Sequence, residues 1–316
     1  MGKILTISIP TYNRSKCVCE QIKRLNRLDE ATKAKVNVFI SDNCSSDDTQ
    51  EKVLEFKGKG IDFEYSRNEK NLGPDLNFEI CYRHAKTTYV WLLGDDDFVI
   101  PEKLCELVDF LEKSSSKNYG LVHIKLTKEN EGTSVDYDDP NRMIQDMGIM
   151  STFLSANVVN TKFIADYDFA KYVGSFFIQV PLELRATLGS INNAIITEQL
   201  FGECEIHNEN GGYNIYKVFV ENLLGIYKEA RRYGLSVETY RSMKMSILEF
   251  MLPYTDKLLL HKNTSKFKTE GAWSICFRYY GFFRFFKELF MYKWHQHFPK
   301  HLRSVLIRFI EDIKLW

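Results

Sequence analysis

Over the first 125 residues, short apolar runs alternate with longer segments whose apolar residues recur at helical spacing. Ile4–Ile9, Val36–Ser41, Phe63–Ser66, Tyr89–Leu93 and Leu121–Lys125 read as strands; Lys16–Leu28, Thr49–Phe56, Leu76–His84 and Glu102–Glu112 read as helices. In the last of these, Leu104, Leu107, Val108 and Leu111 share one helical face. Strands that alternate with helices predict βαβ units and an α/β, Rossmann-like fold with a mostly parallel sheet. Such sheets bind ligands beyond the carboxyl ends of their strands. Residues 126–215 are less regular. Thr127–Asp146, polar and acidic at Asp136–Asp139 ahead of Pro140, is expected to be a surface loop or flap. From about Ile215 the pattern turns helical, with Pro253 and Pro299 as breakers. We therefore expect a sheet domain over residues 1–215 and a helical, basic-aromatic region over 216–316.

The unusual polar residues cluster where strands end. Ser8-Ile9-Pro10-Thr11-Tyr12-Asn13-Arg14 closes the first strand, and Ser41-Asp42-Asn43-Cys44-Ser45-Ser46-Asp47-Asp48-Thr49 closes the second and caps the following helix. Asn71-Leu72-Gly73-Pro74 opens the third helix, and Gly94-Asp95-Asp96-Asp97 ends the fourth strand. All four fall at one edge of the expected sheet, so they can converge on one ligand. Adjacent carboxylates repel and raise one another's pKa unless a cation sits among them. Hard oxygen ligands of this kind suit Mg²⁺ or Mn²⁺, which also take diphosphate oxygens. An acidic turn ahead of Pro101 is the plainer alternative for the aspartates alone.

Taken together and in this order, these segments resemble the family 2 glycosyltransferases of the GT-A fold, across roughly residues 3–115. The Asn71-Leu72-Gly73-Pro74 and Leu93-Gly94-Asp95-Asp96-Asp97 runs look most like the abequosyltransferase-type branch that builds bacterial surface polysaccharides. The resemblance implies a hexosyltransferase-type enzyme that moves a sugar from a nucleotide diphosphate, with inversion, onto a glycan acceptor, expected to be polyprenyl-linked. UDP is the donor base expected ahead of CDP or GDP. It implies that Pro10, Thr11, Tyr12 and Arg14 line the nucleotide pocket, that Asp42 contacts the base or ribose, and that Asn71 lies beside the base. Asp95 and Asp96 would match the family's metal motif, with Asp96 the direct ligand of Mn²⁺ or Mg²⁺. The family's usual first aspartate aligns with Gly94, so a ribose contact would fall to Asp95. His207, in His207-Asn208-Glu209-Asn210-Gly211-Gly212, would complete the metal or diphosphate shell, although a Gly-rich turn carrying an exposed histidine fits the same residues.

An inverting displacement needs a general base for the acceptor hydroxyl. The resemblance places it six residues before Arg185, where this chain has Gln179, which cannot take a proton. Glu183, Asp166 and Asp168 are the candidate substitutes, with Glu183 first on proximity. A nucleotidyltransferase on a similar sheet is one alternative, but Pro10-Thr11-Tyr12-Asn13 lacks the expected Gly-rich phosphate loop. The other is a catalytically inactive GT-A-like binding protein, which Gln179 would favour.

Composition adds the C-terminal picture. Lys/Arg and Asp/Glu balance at 42 each, yet Tyr216–Trp316 holds 18 Lys/Arg against 9 Asp/Glu, and residues before it hold 24 against 33. Twelve aromatics fall within Trp273–Phe298, interleaved with Arg278, Arg284, Lys287 and Lys293. That composition suits a helix lying on an anionic membrane surface; packing on the sheet domain or on a second copy is the alternative. No RNA-binding motif accompanies the basic residues, so no nucleic-acid partner is expected. Seven cysteines without a regular framework, no signal-like opening and no bilayer-length apolar run predict a cytoplasmic protein, peripheral on the cytosolic face of the inner membrane.

Overall fold

A computed structural model of the chain describes residues 2–127, 132–202, 212–260 and 266–297. The predicted alternation appears as β1 (Leu5–Thr11), α1 (Ser15–Asn26), α2 (Glu30–Lys35), β2 (Val36–Asp42), α3 (Thr49–Leu54), β3 (Glu64–Arg67), α4 (Pro74–His84), β4 (Tyr89–Leu92) and α5 (Pro101–Lys113). Proline at the first position starts both α4 and α5, where a missing N–H costs nothing. Asp29 caps α2 by accepting from the Thr32 N–H. Next come β5 (Leu121–Leu126), β6 (Thr133–Tyr137), α6 (Pro140–Met147), β7 (Asn157–Asn160), α7 (Gln179–Leu188) and β8 (Asn193–Glu198).

The strands form one eight-stranded sheet in the order β3-β2-β1-β4-β7-β5-β8-β6. The β3-β2-β1-β4 half is parallel throughout, as expected; β7 then runs antiparallel between β4 and β5, and β6 is antiparallel on β8. Fully buried strands read as continuous apolar runs, and β1 and β4 are buried at every position. The faces of α1 and α5 that pack on this sheet supply Val18, Ile22 and Leu25, and Leu104, Leu107, Val108 and Leu111.

Thr127–Asp146 departs from the loop expected there. Within it, β6 is an exposed edge strand, too polar to read as a strand, and α6 is capped by Asp139 and buries Met143, Ile144 and Met147.

The helical remainder comprises α8 (Leu223–Ala230), α9 (Val237–Leu259), α10 (Ala272–Tyr280) and α11 (Phe282–His297). One compact unit contains residues 1–209 and 223–244, and a second contains 210–222 and 245–316. Contacts thus group residues 223–244 with the sheet, where the sequence pattern placed a single break after 215. No helix among the described residues is long and apolar enough to cross a membrane.

Candidate active site

Parallel register brings the sequence motifs together. Thr11, the last residue of β1, is the Cα partner of Asp42 on β2, and Ser8 is the partner of Leu92 on β4. Three residues further along each chain, Thr11 and Asp95 meet: the Thr11 hydroxyl donates to Asp95 Oδ2 at 2.7 Å. From the turn after β1, one guanidinium nitrogen of Arg14 reaches Asp95 Oδ1 at 2.9 Å and Asp96 Oδ2 at 3.1 Å. Asn13 shapes that turn with a left-handed backbone (φ 53°), and its side-chain oxygen accepts the Ser46 N–H at 2.7 Å. The loops after β1, β2 and β4 are therefore stitched together at one sheet edge.

The three aspartates occupy three environments. Asp95 is buried, and burial pushes its carboxyl up to about 6 despite the opposing pull of Arg14 and Thr11. Asp96, whose side chain is 29% exposed, faces Arg14. Asp97 turns back into the protein, where its Oδ2 accepts the Ser155 hydroxyl at 2.5 Å; burial and the two neighbouring carboxylates push it up to about 6 as well. Burial alone would lower the Arg14 guanidinium, but Asp95 and Asp96 more than reverse this and raise it. Part of the counter-charge that the acidic run requires is thus present in the polypeptide itself.

Gly94 marks the departure from the family's metal motif, and the geometry gives it a reason. A Cβ at this position would lie 2.5 Å from Asp97 Oδ2 and 3.4 Å from Asp96 Oδ1. Its backbone N–H donates to Ser155 Oγ at 2.8 Å, so one serine fixes both the turn and the Asp97 carboxylate. Ser155 lies some sixty residues downstream in a segment without regular patterning, and nothing in the sequence singles it out.

Asp42 is fully buried and its carboxylate is occupied. Oδ1 accepts from the Ser45 N–H at 2.8 Å and the Ser45 hydroxyl at 2.5 Å; Oδ2 accepts from Tyr65 at 2.6 Å and lies 3.7 Å from Arg67 Nε. A contact from Asp42 to a base or ribose would require exchange of one of these partners. Asn71 is joined to the same edge through Asn43, whose amide donates to Asn71 Oδ1 at 2.9 Å. Pro10 is buried in β1, whereas Tyr12 is exposed beside Arg14 in sequence. Tyr65, Arg67, Asn43 and Ser155 are the residues that sequence reasoning left out; Asn43 stood within a motif it had picked out.

The carboxylates named as candidate bases lie apart from this cluster in their bonding. Glu183 is 4% exposed, its Oε1 has no hydrogen-bond partner, and burial holds its carboxyl well above the usual range. It lines a small internal cavity with Ser151, Asn157 and Tyr227. Burial there disfavours the charged form that a general base requires. Asp166 is 76% exposed at its side chain and pairs with Arg185 at 2.7 Å. Asp168 accepts the Ala170 N–H at 3.1 Å at the start of a short 3₁₀ turn. Gln179 is buried at the start of α7, with Nε2 3.4 Å from the Thr152 carbonyl.

His207 lies outside the described residues. Among the described residues no group of three His, Cys, Asp or Glu side chains converges as a metal site. Asp95 and Asp96 nevertheless offer adjacent hard oxygens, and Mg²⁺-type sites commonly combine one or two carboxylates with substrate phosphates and water. The residues present fit a divalent cation on those terms.

Residues 6–148 match the model of the family described as glycosyl transferase family 2. Abequosyltransferase RfbV of Salmonella typhimurium is 29% identical over 140 residues, covering 44% of this chain and 40% of that protein. The chain thus aligns with well under half the length of that curated relative. Staphylococcus aureus TarS 1-349, solved in complex with UDP-GlcNAc, shares the fold with a TM-score of 0.61 at 18% identity, over 83% of this chain and 76% of that one. The mannosyltransferase PcManGT of Pyrobaculum calidifontis, solved with GDP-Man and Mn²⁺, aligns at a TM-score of 0.52 and 13% identity, over 88% and 85% of the two chains. The glycosyl transferase family 2 match thus spans the strand-end motifs that the fold joins at one edge of a GT-A-type sheet.

Proposed function

We propose that this protein is an inverting, metal-dependent glycosyltransferase that takes a sugar from a nucleoside diphosphate, UDP ahead of CDP or GDP, and places it on a glycan acceptor. The observation that carries the reading is the junction of Thr11 and Arg14 with Asp95 and Asp96 at the carboxyl edge of parallel strands. TarS 1-349 with UDP-GlcNAc and PcManGT with GDP-Man and Mn²⁺ support a nucleotide-sugar donor and a divalent ion on the same fold.

In this reading Asp96, with Asp95 beside it, holds the divalent ion. Bound there, the ion would act as a Lewis acid that offsets charge on the departing diphosphate. Arg14 lies close enough to both carboxylates to add positive charge for the phosphates. The acceptor oxygen attacks the anomeric carbon as the bond to the diphosphate oxygen breaks, and the leaving group keeps that electron pair. The acceptor proton passes to a carboxylate. Asp166 and Asp168 are exposed to solvent, whereas Glu183 is buried and its charged form is disfavoured. A polyprenyl-linked glycan in bacterial surface-polysaccharide synthesis is the acceptor class that the abequosyltransferase relative supports.

Calorimetric titration of UDP, CDP and GDP, each with Mn²⁺ and with a chelator, tests this reading. We expect one nucleotide to bind only with metal, and Asp96→Asn to abolish that binding. Binding indifferent to both chelator and Asp96→Asn would sink it. A second reading, a catalytically inactive nucleotide-binding protein, is favoured by Gln179 at the usual base position and by buried Glu183. It predicts binding without donor hydrolysis or transfer.

A further inference from the structure

The second compact unit carries an apolar stripe that its own core does not use. In α11, Phe285 and Leu289 are buried and form the inward face. At 100° per residue, Phe282, Phe286, Phe290 and Phe283 fall together on the flank adjoining that face, with Met291 further round. All five are exposed; Phe283 is 88% exposed and Phe290 62%. The rings are gathered together: Phe282 lies tilted against Phe286 at 4.7 Å and against Phe277 of α10 at 5.2 Å, and Trp273 stacks 6.3 Å from Phe286. Isolated exposed apolar residues need no explanation, but a contiguous aromatic patch marks a contact surface.

Charge selects the contact. Lys287 borders the stripe and Arg284 lies beyond it, both exposed, while Lys293 pairs with Asp256 at 2.8 Å and Arg278 with Glu221 at 3.3 Å. Across residues 266–297 there are six Lys/Arg and two Asp/Glu. A second copy would set this basic rim against itself, and an acidic bilayer surface would complement it. Aromatic rings at headgroup depth with lysines reaching phosphate form the arrangement of an interfacial helix lying in the membrane plane.

We propose that α11 is a peripheral docking face for anionic lipid bilayers, entered by Phe282, Phe283, Phe286 and Phe290 and flanked by the exposed cations Lys287 and Arg284. The face stands independently of the donor chemistry at Asp95 and Asp96. Binding here would hold the protein at the surface where a lipid-linked glycan is presented.

The test is co-sedimentation of the full chain with phosphatidylglycerol/phosphatidylcholine vesicles and with pure phosphatidylcholine vesicles, at low and high salt. The full chain is expected to sediment with the anionic vesicles only, and raised salt should weaken this by screening. F283S/F290S removes two inserted rings and is expected to lower partitioning by about ten-fold or more; R284E/K287E should do the same while leaving the rings in place. Circular dichroism and metal-dependent UDP binding check that each variant is folded, since neither substitution touches the donor site. No sedimentation of the wild type with anionic vesicles overturns the proposal. So does equal binding by the variants, or a concentration-dependent dimer in sedimentation velocity that F283S/F290S abolishes and vesicles do not compete with.

Discussion

Asp97 gives a direct test of how the acidic turn is held together. It makes no ion pair among the described residues, yet it sits mostly out of water beside two other carboxylates. The folded protein pushes its pKa from 3.8 to about 6. At about 1.4 kcal/mol per pH unit, an ionised Asp97 costs the native state at most roughly 3 kcal/mol. The sign follows from proton binding. Between about pH 4 and 6 the native carboxyl holds a proton that the unfolded one has lost, so stability falls as pH rises through that window and levels above it. Asp97→Asn removes the charge while its side-chain oxygen still accepts the Ser155 hydroxyl. We expect the variant to be more stable than wild type by about 1–3 kcal/mol at pH 8 and equal to it near pH 4. Urea unfolding followed by tryptophan fluorescence at the two pH values measures both differences. A variant less stable at pH 8, or one whose gain is the same at both pH values, would refute the reasoning. Because Asp97 points at Ser155 and not at Arg14, Mn²⁺-dependent UDP binding should survive the substitution.

Three further outcomes follow from the same geometry. Arg14→Ala leaves Asp95 and Asp96 without their counter-ion and should cost about 2–4 kcal/mol at pH 8, less near pH 4; thermal melts with and without Mn²⁺ should show a larger metal-induced gain in the variant than in wild type. Gly94→Ala forces the Asp97 carboxylate off Ser155 and should cost about 1–2 kcal/mol; in an Asp97→Ala background the same change should cost almost nothing, and a double-mutant cycle reads the difference. Glu183 is held protonated by burial, well above its ordinary 4.5, so its presence lowers stability as pH rises above that value. Glu183→Gln should therefore be increasingly stabilising from pH 4 to pH 8 in urea unfolding, with donor turnover unchanged; a turnover collapse in a folded variant would return Glu183 to the chemistry.

What could be read from the chain follows the range of the interactions involved. The strands β1, β2, β4 and β5 are apolar runs and were legible, because burial on both faces leaves an unbroken hydrophobic signature. Strand β7 was not. It has four residues with polar ends, and those ends are spent on distant partners: Asn157 accepts from His123 Nδ1 and donates to the Ser151 carbonyl, and Asn160 donates to Asn118 and the Tyr119 carbonyl. Its antiparallel insertion between β4 and β5 depends on pairings that no local pattern encodes. That the strand-end motifs meet was legible, because parallel strands put all their carboxyl ends on one edge. The assignment of each carboxylate was not. Glu183 reads as a surface helix glutamate only if α7 has a wet face, and residues Gln179–Leu184 of α7 are buried all round.

The acidic run itself shows why residue type and spacing fall short of chemistry. Asp95-Asp96-Asp97 looked like a cluster in need of a divalent ion, because like charges at contact distance are unstable alone. The fold answers part of that need with Arg14, eighty-one residues away from Asp95 in sequence, and part with Ser155, which draws Asp97 out of the cluster. Two carboxylates remain facing Arg14. A divalent ion arriving with a diphosphate would therefore enter a site whose charge is already partly offset, and its binding free energy must exceed the loosening of the Arg14 contacts. The phosphates can settle that balance, since Arg14, once released from a carboxylate, has a new anion to hold. The metal and the nucleotide should thus bind together more strongly than either binds alone. Titrating Mn²⁺ with and without UDP measures that coupling directly, and additive affinities would show that Arg14 does not move between the two.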